Sequence, residues 1–167
     1  FLTRNLFNPL GISREQIFLF NALAEDPQQE CRKMDSVIAS KGGIDLMLVG
    51  VGMNGHIGFN EPGMAQYLGA HVVPLDETTK SVGQKYFDEP TSLNFGITLG
   101  LKHFLESRHA IMIASGLKKA GVMKRVLETA TPEVPASIIL KHEHGVVMLD
   151  EDAASAIKPS GDRFPGN

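Results

Sequence analysis

Three short apolar runs constrain this chain more than anything else in it. Residues 44–51, 110–114 and 145–149 are nearly free of polar side chains and too short for core helices. Runs of that length and composition read as strands buried on both faces, as in a parallel sheet. Between the second and third runs, Leu117, Ala120, Met123 and Leu127 recur at helical spacing. The segment therefore predicts a strand–helix–strand crossover. Upstream, Asp26-Pro27 predicts a helix start, with Asp26 as cap, Pro27 at the first helical position and Gln29 as capping-box partner. Cys31, Met34, Val37 and Ile38 share the apolar face of that helix, and Gly42-Gly43 end it. A short strand over 71–75 and a helix over 76–87 follow, and 94–105 reads as a strand running into a helix. Residues 13–23 fit no single pattern. The expected class is α/β: a Rossmann-like, mostly parallel sheet flanked by helices, with ligands at the carboxyl ends of its strands.

The 167 residues suggest one domain, expected over 1–157, with a polar, Pro- and Gly-containing tail over 158–167 that is expected to be frayed. A net charge of -3 argues against a strongly basic nucleic-acid binder. No apolar run approaches the roughly 20 residues of a membrane helix. The single cysteine, Cys31, forms no internal disulfide and is expected in the core, and the expected compartment is the cytoplasm. The chain opens on Phe1, with Leu2 and Leu6 already at helical spacing. The expectation is that the opening strands of the domain are missing.

Chemistry concentrates after the first apolar run. Gly50-Val51-Gly52-Met53-Asn54-Gly55 matches the dinucleotide-binding G-x-G-x-x-G, and Asp76 stands about 20 residues further on. That fingerprint also needs a helix opening at once, and Gly58, Pro62 and Gly63 oppose one. The same loop carries His56 and Glu61, a proton-handling pair whose carboxylate fixes the imidazole tautomer, and Asn54, which can orient the ring or a substrate hydroxyl. Glycines let backbone amides approach a ligand closely. Lys119, after Gly116 at the start of a helix that follows a buried strand, suits an anion. Lys118 reads as a solvated helix end. His142 and His144 lack a third ligand at a convincing spacing, so no metal is expected there. His103 and His109 carry no pattern.

The run VGVGMNGHIGFNEPG (49–63) resembles the signature of glucosamine-6-phosphate deaminases. DETTKSVGQKYF (76–87), GITLGL (96–101), SGLKKA (115–120), VPASIILKH (134–142) and LDEDAAS (149–155) are similar to further family landmarks, in family order. The resemblance implies conversion of an aminohexose 6-phosphate into fructose 6-phosphate and ammonia, without metal or organic cofactor. It implies that His56 moves a proton at the ring oxygen and that Glu61 tunes it. Asn54 stands where many members have Asp. Gly50, Gly52 and Gly58 would line the sugar. Lys119 would bind the phosphate, and Lys85 falls where the family often has an arginine for the same group. The family's general base for proton transfer between C2 and C1 would lie before Phe1, so the chain alone is expected to be nearly inactive. Met64, Ala65, His71 and Val73 fall where some members bind an allosteric phosphate, and no activation by N-acetylglucosamine 6-phosphate is expected. The partner is a small-molecule sugar phosphate, not nucleic acid or membrane, and a homo-oligomer is possible. A 6-phosphogluconolactonase-type hydrolase and a non-catalytic sugar-phosphate-binding module are the competing readings. Galactosamine 6-phosphate is as acceptable a substrate as its epimer.

Overall fold

The computed structural model describes residues 1–75 and 77–158. The tail expected over 158–167 lies outside the described residues, apart from Lys158, as does Asp76 at the head of one expected helix. The first helix, α1 (Pro27–Ser40), forms as the sequence indicates: the Asp26 carboxylate accepts from the backbone N–H of Gln28 and Gln29, and Pro27 occupies the first turn. Gln29 thus contributes its backbone to the cap. Cys31 is buried on the inner face of α1, and burial raises its thiol pKa, with the Asp35 carboxylate adding to the effect. The chain before α1 has only a helical turn at Thr3–Phe7 and a 3-10 turn at Arg14–Gln16, and Leu2 and Leu6 are exposed.

The three apolar runs become β1 (Leu46–Gly50), β4 (His109–Ala114) and β5 (Gly145–Leu149). They pair in the order β1-β4-β5, parallel throughout. Between β1 and β4 lie β2 (His71–Pro74), α2 (Glu77–Gly83), β3 (Phe95–Thr98) and α3 (Leu101–Glu106). β2 and β3 form a separate antiparallel pair, and the stretch 94–105 runs from strand into helix as expected. α4 (Ala120–Glu128) connects β4 towards β5, after a 3-10 turn at Leu117–Lys119. The segment Pro135–Lys141 is a 3-10 helix, and α5 (Glu151–Ala154) follows β5.

One side of the sheet is dry. Ala110, Met112 and Ala114 of β4 point into a core with Leu101 and Phe104 of α3, Met123 and Val126 of α4, and Ile138. The other side departs from expectation. Leu46 and Leu48 are 55% and 62% exposed, and on the neighbouring strands Ile113, Val146 and Met148 are exposed as well. Buried-on-both-faces is therefore wrong for these strands: successive side chains alternate sides, and among the described residues no layer covers the outer side. The spacing of His142 and His144, two apart, suggests one face of a strand, but both precede β5. They form the turn into β5, where His142 Nε2 lies 3.1 Å from the Ser107 hydroxyl and 3.0 Å from the Ser107 carbonyl.

Phe104 is completely buried at the meeting of α3, the sheet and the 135–141 segment. Phe104→Ala should cost about 3–5 kcal/mol of stability, read from urea unfolding.

Candidate active site

Parallel pairing sets the carboxyl ends of β1, β4 and β5 side by side, so the loops that follow them converge. The loop after β1 turns tightly: Gly52 N–H donates to the His56 carbonyl (2.9 Å), and Gly55, at φ 92°, donates to the Gly52 carbonyl (3.1 Å). The turn brings the His56 ring over Gly52, where any Cβ would fall inside the imidazole at Cδ2 and Nε2. Glycine is therefore required at 52 by close approach.

Beyond the turn the chain doubles back to Glu61. His56 Nδ1 lies 2.8 Å from Glu61 Oε1, with both side chains about a quarter exposed (27% and 21%). Asn54 completes the triangle. Its Nδ2 donates to Glu61 Oε2 at 2.6 Å and its Oδ1 accepts from the His56 backbone N–H at 3.1 Å. An ionised carboxylate only accepts, so the proton of a neutral His56 ring sits on Nδ1. Nε2 is then the lone-pair nitrogen, free to exchange a proton with a ligand. Both Glu61 oxygens are engaged, which makes this carboxylate a partner of the ring.

Lys119 approaches from the loop after β4. Its Nζ donates to the Val51 carbonyl at 2.5 Å, joining the two loops, and burial lowers its pKa below the usual lysine range. The expected residues His56, Glu61, Asn54 and Gly52 are thus brought together, and Lys119 reaches the same loop. Gly50 ends β1, immediately before it. Gly58 adopts φ +57°, with space for a Cβ closed by the Thr98 hydroxyl at 2.6 Å. Lys85 stands exposed on the 3-10 turn Gln84–Tyr86 after α2, on a different element from the loop. Two hollows lie elsewhere: one between residues 14–19 and α1, lined by residues such as Ile17 and Met34, and one within residues 3–19, lined by residues such as Phe7 and Ile12.

Two supports escaped the reading of the sequence. Asp150, just past β5, accepts the Gly116 N–H on both carboxylate oxygens (3.0 and 2.9 Å) and caps α5 through Ala153 N–H (2.8 Å). It thereby fixes the turn that leads to Lys119. An aspartate directly after an apolar run and before Glu-Asp-Ala-Ala carries a cap signature that could have revealed it. Thr98, whose hydroxyl meets the signature loop from 39 positions away in sequence, carries no local signal.

A Gly-rich loop at the end of a parallel strand, holding a histidine–carboxylate pair beside a lysine, is equipped to move a proton next to an anionic ligand. Comparison with known proteins agrees. Residues 1–149 match the family described as glucosamine-6-phosphate isomerases/6-phosphogluconolactonase, and the chain belongs to that family. A glucosamine-6-phosphate deaminase of Clostridium perfringens (strain 13 / Type A) is 41% identical over 160 residues, covering 95% of this chain and 66% of the relative. One from Geobacillus sp. (strain WCH70) is 38% identical, over 94% of this chain and 63% of its own length. The chain thus spans just under two thirds of these curated relatives. Among solved structures, a monomeric glucosamine-6-phosphate deaminase superposes with TM-score 0.80 at 35% identity, over 86% of this chain and 61% of that one. A 6-phosphogluconolactonase from Trypanosoma brucei, at 18% identity and TM-score 0.61, shares the fold.

Gly52→Ala should push the His56 ring off Glu61 while leaving the core intact. In ¹⁵N spectra of the imidazole the single Nδ1–H tautomer is expected to give way to a mixture, at an unchanged unfolding midpoint.

Proposed function

We propose that this protein acts as an amino-sugar 6-phosphate deaminase/isomerase, taking glucosamine 6-phosphate to fructose 6-phosphate and ammonia. The observation that carries the reading is the His56–Glu61–Asn54 triangle, with Nε2 left available and Lys119 at the same loop. In this reading the Nε2 lone pair of His56 takes the proton of the C1 hydroxyl and delivers it to the ring oxygen as the bond between C1 and that oxygen breaks and C1 becomes the aldehyde. Glu61 stabilises the imidazolium form and keeps the ring oriented through Nδ1. The backbone of the glycine-rich loop from Gly50 to Gly58 lines the sugar chain, and Lys119 holds the phosphate. Proton transfer between C2 and C1 needs a further base, because both oxygens of Glu61 are already engaged. Galactosamine 6-phosphate is the alternative epimer, since one hydroxyl contact separates the two. The Asn60-Glu61 pair, with Glu61 directly on His56, favours the deaminase over the lactonase reading. Phosphorylated sugars are retained inside cells, which supports a cytoplasmic setting.

The test is ammonia release with glucosamine 6-phosphate and galactosamine 6-phosphate in parallel, together with a binding isotherm for fructose 6-phosphate. Binding of fructose 6-phosphate is expected, with ammonia release weak unless the further C2–C1 base is supplied, and the absence of both release and binding would overturn the reading. Lys119→Gln should abolish binding. Because burial lowers the Lys119 pKa, the charge is lost as pH rises through a value below that of an ordinary lysine. Fructose 6-phosphate affinity should fall on that alkaline side, and Lys119→Arg should extend the plateau upward, since a guanidinium keeps its proton.

Asn54→Asp replaces a donor to Glu61 by a second carboxylate at the same place. Two carboxylates that close do not both ionise. The variant is expected to bind one extra proton and to add a step to the pH–rate profile. An unchanged profile would show that Asn54 and Asp are equivalent here.

A further inference from the structure

The catalytic pair depends on how the five peptide links from His56 to Glu61 are held, and part of the holding comes from outside the loop. Asn60 is 1% exposed, and its Nδ2 donates to the Ile57 carbonyl (2.9 Å) and to the Leu99 carbonyl (2.8 Å). Thr98, the last residue of β3, is 8% exposed. Its hydroxyl accepts from the Phe59 N–H at 3.3 Å and donates to the same Leu99 carbonyl at 3.1 Å. One carbonyl oxygen in the β3–α3 turn therefore anchors the loop through two side chains.

That turn is itself immobilised. Gly100 packs against the Leu68 and Gly69 carbonyls with no space for a Cβ, and Lys102 N–H donates to Leu68 O at 3.2 Å. Behind it, Asp35 Oδ1 on α1 takes both the Ala70 N–H (2.8 Å) and His103 Nε2 of α3 (2.7 Å). The position of Glu61 relative to His56 is thus referred to α1 and α3.

We propose that Thr98, acting with Asn60, is a positioning residue for the His56–Glu61 pair, setting the chain so that Glu61 reaches Nδ1. The kinetic part rests on the deaminase reading, and the spectroscopic part stands without it. Thr98→Val keeps the shape and removes the hydroxyl; Thr98→Ser keeps the hydroxyl and trims a methyl. A misplacement of about 1 Å in a catalytic group costs on the order of 10²-fold, so Thr98→Val should lower kcat by roughly 10- to 100-fold. KM should change little, and Thr98→Ser should recover the rate. In ¹⁵N spectra, with the His56 signals assigned by their loss in His56→Gln, the parent and Thr98→Ser should show the Nδ1–H tautomer. Thr98→Val should show mixed tautomers. Unfolding curves monitor the fold, and Thr98→Ala supplies the same hydroxyl loss should the valine variant not fold.

A folded hydroxyl-less variant with the parent's kcat and tautomer would overturn the proposal. If the parent itself neither releases ammonia nor binds fructose 6-phosphate, the deaminase reading fails while the spectra still decide: tautomer lost without the hydroxyl and regained with serine upholds positioning, and an invariant tautomer refutes it.

Discussion

Parallel pairing of β4 with both of its neighbours is the constraint from which the candidate site follows. With β1, β4 and β5 in register, Gly50, Ala114 and Leu149 come to stand near one another, and every chain segment leaving them starts from the same edge. Loops distant in sequence then meet without long excursions. The Lys119 ammonium reaches the Val51 carbonyl, and Asp150 reaches the Gly116 amide. Each bridge links two of the three strand ends. The inner face of the same three strands is sealed by Phe104, Met112, Met123 and Ile138, so the edge is carried on a rigid base.

On that base the chemistry is arranged by short-range necessity. Gly52 must lack a side chain for the imidazole to fold over it, and Gly58 must accept a positive φ beside Thr98. Asn54 uses both ends of its amide, one on the backbone of His56 and one on Glu61, so a single side chain sets two members of the triangle. These interactions lie within one loop, and the loop in turn leans on the antiparallel β2–β3 pair through Thr98 and Leu99.

This division explains what could be read from the amino-acid order. The positions of β1, β4, β5, α1 and α4 follow from apolar runs, helical spacing and the Asp26-Pro27 cap. His56, Glu61 and Asn54 follow because they share one short stretch. The open side of the sheet was illegible. In residues 46–49 both alternating sets, Leu46 and Leu48 as well as Met47 and Val49, are apolar, and such a pattern says that both sides avoid water without saying what covers each. Asp35, Thr98 and Leu99 were illegible for a different reason: their contacts join positions 35 or more apart, and a single sequence carries no record of such pairs.

The outward row of Leu46, Leu48, Ile113, Val146 and Met148 bears on how the polypeptide behaves in a tube. It lies on a three-stranded sheet whose flanking strands, β1 and β5, each have one neighbour among the described residues. A greasy plane bordered by free amide and carbonyl groups is a template for adding strands edge to edge. A net charge of -3 supplies little mutual repulsion to oppose it. Edge-to-edge association should therefore limit the concentration at which this chain can be handled alone.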